Sequence, residues 1–200
     1  MRQKSSSKLE KLFTKAIYNH QAGNLSVAEK IYKKIIKIDS KIDVIQNNLG
    51  MIYLKFNKKK LAQSCFLNAI AINSNYIEAY SNLAALNNEI GEYNKSIAYS
   101  KRALEINHNF VNALFNLAYS YGKIGNKKNE IEFYLKTLKH DPNHSSACNN
   151  LALAYYELGE TEKCIGLYRK SISTNPDDYL VRENLACALL RHSCFEEGFK

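Results

Sequence analysis

Apolar residues recur along the chain at the spacing of amphipathic helices. Between residues 77 and 106 they form two runs, Tyr80, Leu83, Ala84 and Ile90 in the first and Ile97, Ala98, Ala103, Leu104 and Ile106 in the second. Most members of a run are three, four or seven residues apart, which places them on one face of a helix. Gly91 stands between the two runs. The pattern therefore predicts two helices joined by a tight turn.

The same pattern returns every 34 residues. Gly91, Gly125 and Gly159 are 34 apart, Gly23 lies 68 residues before Gly91, and Asn57 fills the place between them. Gly and Asn adopt a positive φ most readily, so the first helix of each pair is expected to end in a left-handed cap. Further ladders with this period are Leu49, Leu83, Leu117, Leu151 and Leu185; Ala16, Gly50, Ala84, Ala118, Ala152 and Ala186; Tyr32, Phe66, Ser100, Tyr134 and Tyr168; and Ala28, Ala62, Ser96, Glu130 and Cys164. A fixed period of this length is typical of helical repeat proteins.

The period divides the chain into repeats. We expect a disordered tail over residues 1–8 and a single array over 9–200, with whole repeats at 9–42, 43–76, 77–110, 111–144 and 145–178 and a partial repeat at 179–200. Pro142 and Pro176 are one period apart, where the second helix of a pair should have ended. The residues before them, Asp141 and Asn175, should therefore be extended.

Two segments carry a resemblance to a known family. NLGMIYLKFNKKKLAQSCFLNAIAINSN and NLALAYYELGETEKCIGLYRKSISTNPDD resemble the tetratricopeptide repeat, with its Leu–small pair, its aromatic and alanine places and its closing proline. The resemblance implies an all-α fold, a right-handed superhelical solenoid of antiparallel helix pairs. It also implies a non-catalytic protein-interaction scaffold, in which the first helices line a concave groove that holds an extended peptide or a partner helix.

One of the 34-residue ladders consists mainly of asparagines and is expected to line the predicted groove. The sixth place of each repeat holds Thr14 and then Asn48, Asn82, Asn116, Asn150 and Asn184. An Asn amide carries donors and an acceptor that match a peptide unit, so such a row could hold the main chain of an extended polypeptide. A similar ladder lines the groove of O-linked N-acetylglucosamine transferases. The alternative is structural, in which these amides bond only to a neighbouring helix.

The aromatic and charged positions of the predicted groove indicate which kind of ligand it would bind. Phe115, Tyr119 and Tyr156 are candidate anchors for a bound peptide, although aromatics at helical spacing also serve as packing residues. The second, fifth and sixth places of the repeats hold no Lys or Arg. The carboxylate clamp that some members of the family use for acidic C-terminal tails is therefore absent, and we expect a polar, amide-rich groove.

Composition agrees with a helical, non-membrane chain. Hydrophobic residues make up 46% of the 200 residues, with 8 Gly and 2 Pro, too few turn residues for many short strands. No run of about 18 apolar residues is present, and the start MRQKSSSKLEKLF lacks the apolar segment of a signal peptide. The five cysteines show no C-x-x-C spacing, which favours free thiols and a cytoplasmic location. Cys187 and Cys194 are expected to be buried.

The net charge of +9 belongs to the first third of the chain. Residues 1–60 hold 14 Lys or Arg against 4 Asp or Glu, and residues 61–200 hold 14 against 15. A lysine series, Lys30, Lys33, Lys34 and Lys37, follows one face of a second helix. It is interpreted as a solvated face, and a basic scaffold attached to nucleic acid or anionic lipid is the alternative.

No sequence motif indicates catalysis, a metal site or a cofactor. Phosphate-binding loops, G-x-S-x-G and H-E-x-x-H are all missing from the sequence, so an enzyme is not expected. His140, His144 and Cys148 are spaced by four, but Pro142 keeps the two histidines off one helix face. We therefore expect no metal there.

Three residues of the array break the pattern. Asn87 takes an aromatic place, Glu130 takes a small-residue place, and Gly122 falls within a predicted helix. Two of them lie in repeat 111–144, which is therefore predicted to be the least stable.

The last repeat should stop at Phe199 and Lys200, early in its second helix, leaving Leu185, Leu189 and Phe195 without a packing helix. We expect either an oligomer formed through this end or a longer parent protein. The closing string LACALLRHSCFEEGFK resembles the last repeat before the catalytic region of bacterial glycosyltransferases. The alternative function is thus the substrate-recruiting arm of such an enzyme.

Overall fold

The computed structural model describes the backbone of residues 2–198 and the side chains of residues 9–192, and all of its regular secondary structure is helical. The helices are, in chain order, α1 (Arg2–Gln21), α2 (Leu25–Ile38), α3 (Asp43–Lys55), α4 (Lys59–Ile72), α5 (Ile77–Glu89), α6 (Tyr93–Ile106), α7 (Val111–Lys123), α8 (Lys127–His140), α9 (Ser145–Glu157), α10 (Thr161–Thr174) and α11 (Tyr179–Gly198). No strand occurs in this described part of the chain. The predicted all-α fold of helix pairs is confirmed.

Left-handed residues end the first helix of each of the first five pairs. Gly23, Gly91, Gly125 and Gly159 have φ between 77° and 80°, and Asn57 has φ 55°. After α7 the chain folds back tightly, because the N–H of Asn126 donates to the carbonyl oxygen of Tyr121 at 2.8 Å. An L-residue other than Asn would be strained at these angles, which explains the Gly and Asn ladder. The predicted caps are confirmed.

Asp or Asn residues with φ between −143° and −132° end the second helices, and three of them, Asp39, Asn73 and Asn107, are fully extended. Asp39, Asn73, Asn107, Asp141 and Asn175 all follow a second helix, at the same place of each repeat. Their side chains also order the connection, since Asn107 Oδ1 accepts from the N–H of Asn109 at 3.0 Å and Asp141 Oδ1 from that of Asn143 at 3.2 Å. Short polar side chains favour such turns. This ladder, which the sequence analysis missed, accounts for part of the high Asn content.

The helices form two compact bodies, one of residues 1–86 and one of residues 87–200. In the N-terminal body, the ring of Phe66 is fully buried beside Gly50. A Cβ atom on Gly50 would lie 2.5 Å from that ring. The body also buries a set of fully enclosed residues, Ala16, Ala28, Tyr32, Ile35, Ile45, Ile52, Ala62, Ala69, Ala79, Leu83 and Ala84.

The C-terminal body has two joined clusters of the same kind. Ala118 and Tyr134 pack with Leu151, and Ala152 and Tyr168 pack with Val181. In each case a small residue of a first helix lies in the same cluster as a Tyr of a second helix. The small-residue and aromatic ladders thus form the core of this body as they do in the other.

The two ends of the chain differ from the sequence expectation. Helix α1 begins at Arg2, so residues 2–8 are helical rather than a disordered tail. No Gly or Pro interrupts this segment, and its Arg, Gln and Lys are good helix formers. Helix α11 continues to Gly198, so the expected turn and second helix do not form within it. The cap place there holds Ser193, which cannot readily take a positive φ.

The surface of α11 also corrects the prediction for one cysteine. Cys187 is exposed, whereas Cys65, Cys148 and Cys164 are buried. Leu189 is 36% exposed, in line with the expectation that it lacks a packing partner, and Leu190 is 68% exposed. The same expectation is wrong for Leu185, which is partly buried against the cluster of Tyr168 and Val181. The side chains of Cys194 and Phe195 lie outside the described residues.

Candidate functional site

In the N-terminal body, two members of the asparagine ladder bond to neighbouring helices. Asn48 Nδ2 of α3 donates to the hydroxyl of Tyr32 on α2 at 3.3 Å. Asn82 Nδ2 of α5 donates to Oδ1 of Asn47 on α3 at 2.8 Å. Asn48 and Asn82 are both half-buried, so part of each amide remains at the surface.

In the C-terminal body, the three ladder members have different surroundings. Asn150 Nδ2 of α9 donates to the hydroxyl of Tyr134 on α8 at 3.0 Å, and its Oδ1 accepts from Asn149 at 3.4 Å. Asn116 is buried, with 7% of its surface exposed. Asn184 is half-buried, and its side chain makes no hydrogen bond within the described part of the chain.

The two Asn–Tyr pairs share one spacing. The Tyr lies 16 residues before the Asn in both, on the second helix of the preceding repeat. Phe66 and Ser100 occupy that Tyr place before Asn82 and Asn116, and neither offers a phenol hydroxyl. Tyr168 occupies it before Asn184, yet these two side chains form no hydrogen bond, so the spacing alone does not produce the pair. The neighbouring-helix bonds named in the structural alternative are thus present at Asn48 and Asn150, as at Asn82. Each still has a second amide hydrogen, so a ligand role for the ladder stays a prediction.

The three aromatic candidates differ in how far they are covered by neighbouring side chains. Phe115 packs within the body, because its ring stacks on His144 at 4.7 Å and lies 5.8 Å from that of Tyr134. Tyr156 is covered by Arg191, whose guanidinium lies 4.9 Å from its ring. The ring of Tyr119 is half-buried and lies 5.1 Å from the Lys123 ammonium.

A cavity of about 150 Å³ opens between α7, α8 and α9. It is lined by Tyr119, Gly122, Lys123, Lys127, Glu130, Tyr134, Asn150, Leu153 and Glu157. The first-helix members fall at the sixth, ninth, twelfth and thirteenth places of their repeats, so the cavity belongs to the surface on which the groove was predicted. It brings together two of the predicted site residues, Tyr119 and Asn150.

Glu130 forms one wall of this cavity and is 8% exposed. A Cβ atom on Gly122 would lie 2.5 Å from Glu130 Oε1, so the glycine leaves the space that the carboxylate fills. The Lys127 ammonium lies 2.6 Å from both Glu130 Oε2 and Glu157 Oε2. Burial by itself would lower the pKa of Lys127, but its contacts with the two carboxylates outweigh burial and raise that pKa.

A second polar cluster of the C-terminal body was missed by the sequence analysis. The hydroxyl of Ser120 lies 2.7 Å from Asn88 Oδ1 and 2.8 Å from both Ser96 Oγ and the carbonyl oxygen of Asn116. Asn88 Nδ2 also donates to that carbonyl at 3.2 Å. Ser96 takes the place that Glu130 has in the next repeat. No signal short of the folded arrangement links these four residues.

The basic residues of the N-terminal body are partly engaged with their own neighbours. Lys33 Nζ lies 2.6 Å from Glu29 Oε1, and the ammonium groups of Lys33 and Lys58 lie 5.7 and 6.0 Å from the ring of Tyr53. The hydrogen bond to Glu29 is the main cause that raises the pKa of Lys33. These contacts agree with a solvated lysine face.

The described residues were also compared with what a metal site and a membrane-spanning helix require. They contain no group of three or more His, Cys, Asp or Glu side chains placed to hold a metal ion. His144 instead caps α9, since its Nδ1 accepts from the N–H of Ala147 at 3.2 Å. None of the described helices combines the length and apolar character needed to cross a bilayer.

Comparison with known families gives consecutive matches. Family models described as tetratricopeptide repeat match residues 45–76, 77–110, 111–144 and 145–178. These matches cover more than half of the chain, and three of them begin at the first residue of α5, α7 and α9.

Relatives and solved structures are consistent with these family matches. The ycf37 protein of Pyropia yezoensis is 32% identical over 89 residues, which is 44% of this chain and about half, 47%, of that protein. A crystal structure of MamA is 24% identical with a TM-score of 0.70, covering 80% of this chain and 94% of MamA. YrrB, described as a TPR protein with an unusual peptide-binding site, is 20% identical with a TM-score of 0.70, covering 90% and 96%. PilF of Pseudomonas aeruginosa is 16% identical with a TM-score of 0.79, covering 97% and 94%. At these identities the structures establish the fold alone.

Proposed function

Because the chain belongs to the tetratricopeptide repeat family, we propose that it is a non-catalytic interaction module that binds an extended polypeptide on its first-helix surface. A cytoplasmic location is part of this proposal and is supported by the free thiols of Cys65, Cys148, Cys164 and Cys187. The glycosyltransferase-arm alternative gains no support from the described residues.

The cavity between α7, α8 and α9 is the observation that carries the proposal. Its walls combine aromatic, amide and charged side chains from two first helices, a mixture that suits one side chain and the adjoining main chain of a peptide. YrrB, a protein of similar fold, is described as having an unusual peptide-binding site. That likeness adds support for a peptide ligand.

The role proposed for Asn150 is to hold the peptide main chain beside this cavity. One amide hydrogen of Asn150 is directed at the Tyr134 hydroxyl, and the second remains for a ligand carbonyl. Asn48 repeats the arrangement with Tyr32 in the N-terminal body. The ladder would thus combine a positioning hydrogen bond with a contact to the ligand.

A matched pair of variants separates these two roles. Peptides are first selected on the intact chain from a random display library, and their affinities for the variants are then measured by calorimetry. Asn150→Ala removes both the ligand contact and the Tyr134 bond, whereas Tyr134→Phe removes only the latter. We expect Asn150→Ala to weaken binding about fivefold to tenfold and Tyr134→Phe to leave it within twofold, because one hydrogen bond contributes roughly 1 kcal/mol.

Equal losses in the two variants would show that Asn150 supports binding only through its bond to Tyr134 and makes no separate contact with the ligand. Failure of the intact chain to enrich any peptide would contradict the proposed function itself. Circular dichroism at 222 nm serves as the folding control for both variants.

A further inference from the structure

The charges around the cavity of the C-terminal body point to a particular side chain. Resting on the proposed function, we propose that this cavity receives the cationic side chain of an arginine or lysine in the bound polypeptide. Glu130 and Glu157 would supply the carboxylates, and Tyr119 and Tyr134 the aromatic walls.

The two carboxylates share one ammonium group. Lys127 Nζ donates a hydrogen bond to Glu157 Oε2 at 2.6 Å. It also lies 2.6 Å from Glu130 Oε2, and this ion pair is the one contact with a charged group that the described residues give that buried oxygen. A buried carboxylate needs both an opposite charge and hydrogen-bond donors. The group of three carries a net charge of −1, so a second cation would complete it.

Lys123 does not supply that second cation. Its ammonium lies over the ring of Tyr119, 5.1 Å from the centroid, and it makes no ion pair within the described part of the chain. Tyr119 thus already attracts a cation at the cavity rim. A guanidinium is planar, stacks on aromatic rings and offers several donors, so it suits this combination of carboxylates and phenol rings.

Size and charge favour a cationic side chain over other occupants of the cavity. About 150 Å³ is well below the several hundred Å³ of a typical small-molecule site, but it accommodates one long side chain. An acidic side chain would be repelled by Glu130 and Glu157. The Lys127 ammonium that could attract it is already shared, and that of Lys123 lies over the Tyr119 ring. A purely apolar side chain would leave the two carboxylates with the shared Lys127 ammonium as their only counter-charge within the described residues.

The repeat pattern indicates that Glu130 is not a packing residue. Other repeats place small side chains there, and all of them are buried: Ala28, Ala62, Ser96 and Cys164. A buried carboxylate is costly compared with such a residue, and here it also requires a glycine opposite, at Gly122. A residue that departs from the repeat at this cost, on a cavity wall, fits ligand recognition better than stability.

The test compares two probe peptides on the intact chain. One is a blocked pentapeptide of alanines with a central arginine, and the other has citrulline, its neutral isostere, in the same position. Amide shifts of Gly122 and Leu153 in ¹⁵N–¹H spectra report binding. We expect the arginine peptide to bind about fivefold more tightly than the citrulline peptide, because only the cation gains the carboxylates and the rings.

Variants locate the source of that preference. Glu130→Gln keeps the shape of the side chain and should bring the affinity ratio to within twofold. Glu132→Gln on the same helix makes the same charge change at an exposed ion pair with Lys136, outside the cavity, and should keep the ratio. Glu157→Gln, at a side chain 52% exposed, should reduce the ratio partly, and it preserves the test if Glu130→Gln does not fold.

Two outcomes would overturn the inference and leave the proposed function standing. These are equal binding of the two peptides at first-helix amides, and an arginine preference that persists in Glu130→Gln. If neither peptide shifts any first-helix amide, the proposed function fails and the inference fails with it.

Discussion

Glu130 and Gly122 form a coupled pair across α7 and α8. A Cβ atom on Gly122 would lie 2.5 Å from Glu130 Oε1, so an alanine there would push the carboxylate away from Lys127. Replacing a helical glycine by alanine otherwise stabilises by up to about 1 kcal/mol. We therefore expect Gly122→Ala to give no gain in the free energy of unfolding in the natural chain, and a gain approaching that value in a Glu130→Ala background. Urea denaturation of the four proteins measures the difference.

Gly166 provides the control for this cycle. It lies in α10, is exposed, and a Cβ atom there would meet nothing within 4 Å. Gly166→Ala should therefore stabilise by about 1 kcal/mol whether or not Glu130 is present. Additive effects of Gly122→Ala and Glu130→Ala would show that the two residues do not interact, because contacting residues give non-additive changes.

The candidate site was only partly visible in the sequence. The ladder places Asn150 on the first helix, but its bond to Tyr134 depends on which residue stands 16 positions earlier in the neighbouring repeat. Glu130 and Gly122 were both recognised as exceptions and interpreted as separate defects. They are eight residues apart across a turn, and only the folded pair shows that one makes room for the other.

At the level of single helices, α8 is expected to open more readily than α10. It carries the buried carboxylate of Glu130 beside a cavity, whereas the matching place in α10 holds the buried thiol of Cys164. Local opening free energies follow such differences in burial and packing. Hydrogen exchange should show lower protection for residues 111–144 than for 145–178, and Glu130→Ala should slow exchange in α8. Equal or greater protection of 111–144 would contradict this prediction.

The helices themselves were predictable where a cap residue marks their end. Gly23, Asn57, Gly91, Gly125 and Gly159 place all five turns, because few other residues tolerate a positive φ. The 34-residue period predicts a turn at position 193, but Ser193 stands there instead of Gly or Asn. The helix runs on to Gly198. The conformational preference of the residue at that position, rather than the repeat period, therefore determined whether the helix ended.

On the scale of the whole molecule, charge and ligand chemistry fall in different bodies. Residues 1–86 hold 14 Lys or Arg against 5 Asp or Glu, whereas residues 87–200 hold 14 of each. The net charge of +9 thus belongs to the N-terminal body, and the cavity proposed for a cationic side chain belongs to the neutral one. A basic ligand would meet less electrostatic repulsion there.

Both bodies also bury phenol groups, which predicts how stability depends on pH. Burial is the main cause that raises the pKa of Tyr76, in the N-terminal body, and that of Tyr168, in the C-terminal body, to about 12 in each case. In the unfolded chain a tyrosine ionises near pH 10. Above pH 10 the unfolded state has lost protons that the folded state keeps, so the free energy of unfolding should fall as the pH rises towards 12.

Urea unfolding at pH values from 8 to 11.5, followed by circular dichroism, measures this slope. Tyr168→Phe removes one buried phenol and should make the fall shallower above pH 10. Tyr179→Phe is the control, because Tyr179 is 73% exposed and its removal should leave the slope unchanged. If Tyr168→Phe and Tyr179→Phe give the same slope, burial of the Tyr168 phenol does not contribute to the alkaline loss of stability.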